Sequence, residues 1–192
     1  MRIGIFGGSF NPIHKGHTAL AQAICDDGQV DSVWLMISPQ NPLKPIEGML
    51  DEHLRLHLAR LAVRDIPCLE ASDFEFGLPR PSYTYNTLQQ LTKTFPEHTF
   101  TLIIGSDNWD LFPRWRNADD ILHQWPVVVY PRGDAGTPTA NPRYPNVHFM
   151  ASAPLFPVSS TDVRQRIAHG DDISLWLDEA VAAEIHRLHL YV

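Results

Sequence analysis

The sequence predicts a single α/β domain, and three observations predict it. Its 192 residues suffice for one such domain with a sizeable core and are few for two. Residues 3–6 form a short apolar run suited to a buried strand; Gly7, Gly8 and Ser9 break it, and a helical pattern follows through Leu20, Ala21 and Ile24. A second apolar run at 33–37 comes so soon after that helix that the two strands are expected to be parallel, joined by a right-handed crossover.

Composition narrows the function classes. Hydrophobic residues make up 44% and charged residues 19%, the balance of a soluble globular protein. A formal net charge of −7 argues against nonspecific nucleic-acid binding, which needs a basic surface, yet allows an anionic substrate in a locally positive cleft. Cys25 and Cys68 fit no CxxC spacing and read as buried, reduced thiols. No run approaches the roughly 18 to 20 apolar residues of a membrane span. The chain enters its first strand without a leader pattern, so a cytoplasmic protein with no membrane partner is expected. Oligomeric state, a homo-oligomer included, is left open.

Taken in order, the first strand ends in Gly7 and Gly8, which tolerate backbone angles closed to other residues and let a ligand approach the main chain. Asn11-Pro12 favours a turn, and the helix begins near Gly16. Its unpaired N–H groups and positive dipole end suit a phosphate. The glycine pattern is neither the dinucleotide fingerprint nor the P-loop. What distinguishes it is His14 and His17, two imidazoles at the entrance to the helix.

Gly28 ends that helix. After the run at 33–37, residues 38–45 hold three prolines and read as an extended segment at a strand's carboxyl end, carrying Lys44. Residues 49–63 read as a helix with Leu50, Leu54, Leu58 and Leu61 on one face. His53 and His57 lie one turn apart but lack the glutamate of the zinc-protease motif, so they read as a polar face and no metal site is assigned. Residues 71–81 read as irregular. Ser82 or Thr84 would then cap a helix bearing Leu88 and Leu91.

Residues 100–104 form the central strand, ending in Gly105-Ser106-Asp107. Asp107 is placed either to accept from a ribose hydroxyl or to cap a helix. Trp109 and Trp115 follow, indoles of the kind that fill cores. A strand at 127–130 leads into Pro131-Arg132-Gly133, a surface loop spans 134–145, and the last strand covers 147–150. Ser159 and Asp162 have the spacing of a capping box, and the helix they open offers the hydroxyls of Ser160 and Thr161. Arg164 lies one turn further on, which makes a second anion cradle with a guanidinium attached. His169-Gly170 closes that helix. Residues 177–190 make a final amphipathic helix with His186 and His189 solvated.

The stretch Gly7-Gly8-Ser9-Phe10-Asn11-Pro12-Ile13-His14-Lys15-Gly16-His17 resembles the signature of nucleotidylyltransferases with a His-x-Gly-His motif, and Ser159-Ser160-Thr161 with Arg164 resembles their second signature. The chain is most similar to the bacterial nicotinate-nucleotide adenylyltransferase family. The resemblance implies a doubly wound, mostly parallel, Rossmann-like sheet with helices on both faces. It implies transfer of AMP from ATP to nicotinate mononucleotide, with Mg²⁺ bridging the triphosphate. His14 and His17 would stabilise the transferring phosphate, while Arg164 and Lys44 would neutralise the leaving pyrophosphate. Gly7, Gly8, Ser9 and Phe10 would let the phosphates approach, and Gly105, Asp107, Ser160 and Thr161 would frame the nucleotide. Tyr83 and Thr84 match a segment that takes the nicotinate carboxylate. Trp115, more than Trp109, matches an aromatic stacked on the pyridine ring, and Arg132 is placed to reach a substrate anion. Sibling enzymes acting on nicotinamide mononucleotide or phosphopantetheine, and a non-catalytic nucleotide sensor, are the alternatives. Arg164 would then face the same triphosphate as the two histidines.

Overall fold

The computed structural model describes residues 1–39, 48–132, 144–154 and 156–192. Its strands are β1 (Arg2–Gly8), β2 (Ser32–Ile37), β3 (Leu69–Ser72), β4 (Thr99–Gly105), β5 (Val127–Tyr130) and β6 (Val147–Phe149). Among the described residues they make one six-stranded sheet in the order β3-β2-β1-β4-β5-β6, every adjacent pair parallel. The helices are α1 (Lys15–Asp26), α2 (Glu52–Val63), α3 (Thr84–Thr94), α4 (Ser106–Leu111), α5 (Ala118–Gln124), α6 (Ser160–His169) and α7 (Glu179–Arg187).

Side-chain alternation along the strands decides which helix covers which face. Ile3, Ile5, Leu102, Ile104, Val127 and Val129 point to one side, where Leu88 and Leu91 of α3 and Ile121 and Leu122 of α5 meet them. Phe6, Val33, Leu35, Ile37, Ile103 and Val128 point to the other, against α1, α2, α6 and α7. Both faces are therefore buried, which is why these strands read as unbroken apolar runs. Each fully buried Leu or Ile is worth roughly 1.5–3 kcal/mol.

The chain winds outward through β2 and β3, returns to lay β4 on the opposite side of β1, and continues to β5 and β6. Strand order thus reverses between β1 and β4, and the crevice beyond their carboxyl ends is where such sheets bind ligands. Gly4 permits the close packing of this central pair, since a Cβ there would lie 2.5 Å from Ile103 Cδ1.

Several elements differ from the sequence expectation. Residues 71–81 are not uniformly irregular: β3 is a four-residue edge strand, followed by a 3₁₀ turn at Phe74–Gly77. Its run is too short for the alternation to stand out. Helix α2 begins at Glu52 rather than 49, because the Asp51 side chain caps it by accepting from the His53 N–H at 2.9 Å. Its buried stripe is Arg55, Leu56, Leu58, Ala59 and Val63, with Leu50, Leu54 and Leu61 only half-buried. The last helix is shorter than 177–190, opening at Asp178 and ending at Arg187, and His189 takes a left-handed φ of 51°. The polar face of α2 has a packing role, since His57 Nε2 lies 2.9 Å from Glu184 Oε1 of α7.

The two cysteines are neighbours in space and half-buried rather than buried. Cys25 Sγ donates to the Cys68 carbonyl at 3.8 Å, and both are free thiols. Lys44 and most of the 38–45 and 134–145 segments lie outside the described residues. Among the described residues no helix is long and apolar enough to cross a membrane.

Candidate active site

The site is built first from the turn between β1 and α1. Gly7 has nothing within 4 Å of a hypothetical Cβ and lines the open cavity, so a side chain there would project into ligand space. Phe10 adopts a left-handed φ of 45°, a conformation costing about 1–3 kcal/mol in a non-glycine residue. Packing holds it, with its ring edge-on to Phe6 at 5.7 Å and to His17 at 5.0 Å.

His14 and His17 stack at the start of α1, their ring centroids 3.6 Å apart and their planes 28° from parallel. The His14 backbone N–H donates to His17 Nδ1 at 3.1 Å, which leaves the hydrogen of a neutral His17 on Nε2. His14 is buried, and its Nδ1 has no hydrogen-bond partner among the described residues. Burial, and next the charge of Arg132, push its pKa down to about 4, with Asp162 opposing. The imidazole is therefore neutral at pH 7 and costs little to hold in place.

A second helix start closes on the first. The Ser159–Asp162 capping box forms as its spacing predicts: Asp162 N–H donates to Ser159 Oγ at 3.2 Å, and Asp162 Oδ2 accepts from Ser159 N–H at 2.8 Å. The first turn of α6 then reaches back to the opening loop. Ser160 Oγ donates to the Pro12 carbonyl at 2.8 Å, and Arg164 Nη1 donates to the Asn11 carbonyl at 2.7 Å. Arg164 Nη2 also contacts Thr161 Oγ1 at 3.2 Å. Arg164, His14 and His17 thus line one cavity of about 980 Å³, near the upper end of small-molecule sites.

The other wall comes from β4, β5 and the start of α3. At Gly105 a Cβ would stand 2.5 Å from Asp107 Oδ1 and 3.2 Å from the Tyr130 ring, so a side chain there would displace the Asp107 carboxylate and crowd Tyr130. Asp107, in the first turn of α4, pairs with Arg132 Nη1 at 3.1 Å. Both partners are more than half exposed, so this pair is weak and can exchange for ligand contacts. Tyr83, Thr84 and Trp115 line the far end, and Trp115 packs on Phe112 at 5.2 Å. Trp109 does not line the cavity. Its ring stacks on Phe112 at 5.4 Å and meets Tyr144 and Phe149 edge-on, so it belongs to the core. Neither Ser82 nor Thr84 caps α3; Tyr83 occupies the cap position without a side-chain hydrogen bond.

Three residues escaped the sequence reading. Asn11, taken as a turn residue, accepts from Leu50 N–H at 3.2 Å and from Tyr191 Oη at 2.8 Å, and donates to the Gly48 carbonyl at 3.1 Å. Arg55 is only 1% exposed: Nη1 donates to the Ser9 and Ser38 carbonyls at 2.7 and 2.8 Å, and Nε donates to the Leu50 carbonyl at 2.9 Å. Glu75 is buried on the cavity wall with Thr87 Oγ1 donating to it at 2.8 Å. Arg55 carried a faint signal, a lone arginine on an otherwise leucine-rich turn. Glu75 carried none.

Residues 5–166 match the model of the cytidylyltransferase-like family. Over 185 residues the chain is 46% identical to a protein named probable nicotinate-nucleotide adenylyltransferase from Bacteroides fragilis, covering 96% of this chain and 90% of the relative. A relative of the same name from Flavobacterium psychrophilum is 39% identical, covering 100% and 99%. Among solved structures, Plasmodium falciparum nicotinic acid mononucleotide adenylyltransferase complexed with NaAD superposes with a TM-score of 0.80 at 19% identity, covering 99% of this chain and 97% of that one. That likeness shows the same fold. With the sheet order, the two apposed helix starts and these relatives in hand, the chain belongs to the nicotinate-nucleotide adenylyltransferase family, whose members are nucleotidyltransferases.

Proposed function

We propose that this chain, as one domain spanning residues 1–192, transfers AMP from ATP to nicotinate mononucleotide, releasing pyrophosphate and forming nicotinate adenine dinucleotide for NAD biosynthesis. The observation that carries the reading is the meeting of two helix N-termini, α1 and α6, in one cavity with two imidazoles and a guanidinium between them. The names of the relatives point to the acceptor.

In this reading an oxygen of the acceptor's phosphate, already ionised, attacks the α-phosphorus of ATP in line. The bond from that phosphorus to the oxygen bridging the β-phosphate breaks, and pyrophosphate leaves with its electron pair. No side-chain base is needed, so catalysis is positioning and charge stabilisation. His17 Nε2–H would donate to the α-phosphate, and His14, neutral in the free protein, would gain a proton beside the polyphosphate. Arg164, with Ser160 and Thr161, would receive the leaving pyrophosphate, and Lys44 would add a second cation. Gly7, Gly8, Ser9 and Phe10 would admit the phosphates, while Gly105 and Asp107 would frame the ribose. The backbone amides at Tyr83 and Thr84 would take the nicotinate carboxylate, Trp115 would cover the ring, and Arg132 would leave Asp107 for a substrate anion. Mg²⁺ would enter with ATP and would neutralise part of the triphosphate charge. Two free thiols and an ATP substrate favour a cytoplasmic setting.

The direct experiment is pyrophosphate release from Mg-ATP with nicotinate mononucleotide, nicotinamide mononucleotide and phosphopantetheine as acceptors. Fastest turnover with nicotinate mononucleotide is expected, and no turnover with any acceptor would reduce the protein to a nucleotide sensor. Replacing His17→Ala is expected to lower kcat on the order of 100-fold while preserving the fold. Near-normal turnover in that variant would remove the imidazole from the mechanism.

A further inference from the structure

Glu75 follows β3 in the 3₁₀ turn Phe74–Gly77, and it is 7% exposed on the wall of the cavity. A carboxyl in that position is costly unless paired or neutral. No ion pair satisfies it among the described residues. Its Oε1 accepts from Thr87 Oγ1 at 2.8 Å, and Thr87 is itself 2% exposed in the first turns of α3. Its Oε2 has no hydrogen-bond partner among the described residues, and neither does the buried Ser82 Oγ on the same wall. Burial pushes the carboxyl up, and the nearby hydroxyls of Thr87, Ser82 and Ser38 draw it only partly back.

The Thr87 N–H donates to the Tyr83 carbonyl at 3.1 Å, so Thr87 closes the first turn of the helix whose opening residues, Tyr83 and Thr84, line the cavity. That opening has no side-chain cap of its own. Glu75 is therefore the group that ties the β3 side of the molecule to the start of α3, and two orphaned polar atoms stand beside that tie.

We propose that Glu75 is a positioning residue for the acceptor: through Thr87 it sets the Tyr83–Thr84 segment, whose amides take the anionic substituent on the acceptor's ring. This rests on the acceptor assignment made above. Glu75 acts on the acceptor and not on ATP, because the helix starts that would hold the triphosphate, α1 and α6, are on the other side of the sheet from α3.

The test measures KM for nicotinate mononucleotide and for Mg-ATP separately in Thr87→Val, Glu75→Ala and Glu75→Gln. Loss of one buried hydrogen bond predicts an acceptor KM raised about tenfold in Thr87→Val and Glu75→Ala, with the ATP KM within about twofold of wild type. Glu75→Gln, which keeps an oxygen for Thr87, is expected to restore most of the acceptor KM. Thermal midpoints report folding, and where Glu75→Ala does not fold, Thr87→Val and Glu75→Gln carry the test. An unchanged acceptor KM in folded Thr87→Val, equal changes in both KM values, or a Glu75→Gln enzyme as impaired as Glu75→Ala would each overturn the inference. A wild-type enzyme inactive with nicotinate mononucleotide would instead overturn the acceptor assignment, and this inference with it.

Discussion

His14 shows how one side chain can be tuned by its position. Its ring is buried against His17 and faces the positive charge of Arg132, and both effects disfavour the imidazolium. A histidine whose folded pKa is about 4 binds fewer protons than the unfolded chain, whose pKa is about 6.5. Stability therefore rises with pH across that window and is lost as pH falls through it. From this residue alone the protein is expected to be about 2 kcal/mol less stable at pH 5 than at pH 7. Urea unfolding of wild type and His14→Gln at the two pH values checks this, since the variant lacks that share of the loss. A polyphosphate beside the ring reverses the sign, because it favours the charged form. ATP binding near pH 6 is accordingly expected to take up protons, seen by calorimetry as a binding heat that varies with the ionisation enthalpy of the buffer.

At the scale of single elements, α6 is short and leans on its cap. Ser159 supplies one oxygen to the Asp162 N–H while Asp162 returns one to Ser159, so two of the helix's orphan donors are satisfied locally. The carboxylate of Asp162 is held below its ordinary range first by the Ser159 hydroxyl, which donates to Oδ2 at 2.7 Å, and then by the Ser159 N–H. Replacing Ser159→Ala is expected to cost about 1 kcal/mol, read as a lower thermal midpoint. Because Ser160, Thr161 and Arg164 ride on the same turn, the variant is also expected to bind ATP more weakly. In helix α1 the corresponding positions are His14 and His17, with the His14 N–H donating to His17 Nδ1, and the first turn holds no acidic residue. A helix start with no acidic residue in its own first turn keeps its positive end available for an anion.

The whole molecule depends on ties that run between distant segments at the carboxyl edge of the sheet. Arg55 of α2 donates to carbonyls following β1 and β2, and Tyr191 near the C-terminus donates to Asn11 in the first loop. Burial lowers the pKa of the Arg55 guanidinium, yet arginine stays charged at any ordinary pH, and four backbone carbonyls, those of Ser9, Ser38, Pro39 and Leu50, surround it. Replacing Arg55→Met would leave those carbonyls buried and unpaired, at a cost of about 3 kcal/mol or more. Arg55→Lys is expected to recover little, since one ammonium cannot reproduce the planar fork. Denaturant midpoints of the two variants test both statements.

Strands of this protein are legible because burial on both faces leaves unbroken runs of Ile, Val and Leu. The edge strand β3 escapes because one of its faces has little to bury and it spans four residues. The two helix starts that line the cavity are legible because a glycine turn with paired histidines and a Ser-x-x-Asp box are local patterns, each complete within a dozen residues. Local pattern could not show that Trp109 turns into the core while Trp115 faces the cavity. That choice depends on Phe112, Tyr144 and Phe149 packing around one indole. Nor could it place Arg55 or Glu75, whose partners come from other elements. By itself the chain determined its parallel core and its two helix starts at residues 14–17 and 159–162, since both follow from residue type and short-range spacing. Only the tertiary structure decided that those starts face each other, because the reversal of strand order between β1 and β4 is what brings residues 148 and 153 positions apart within hydrogen-bond reach.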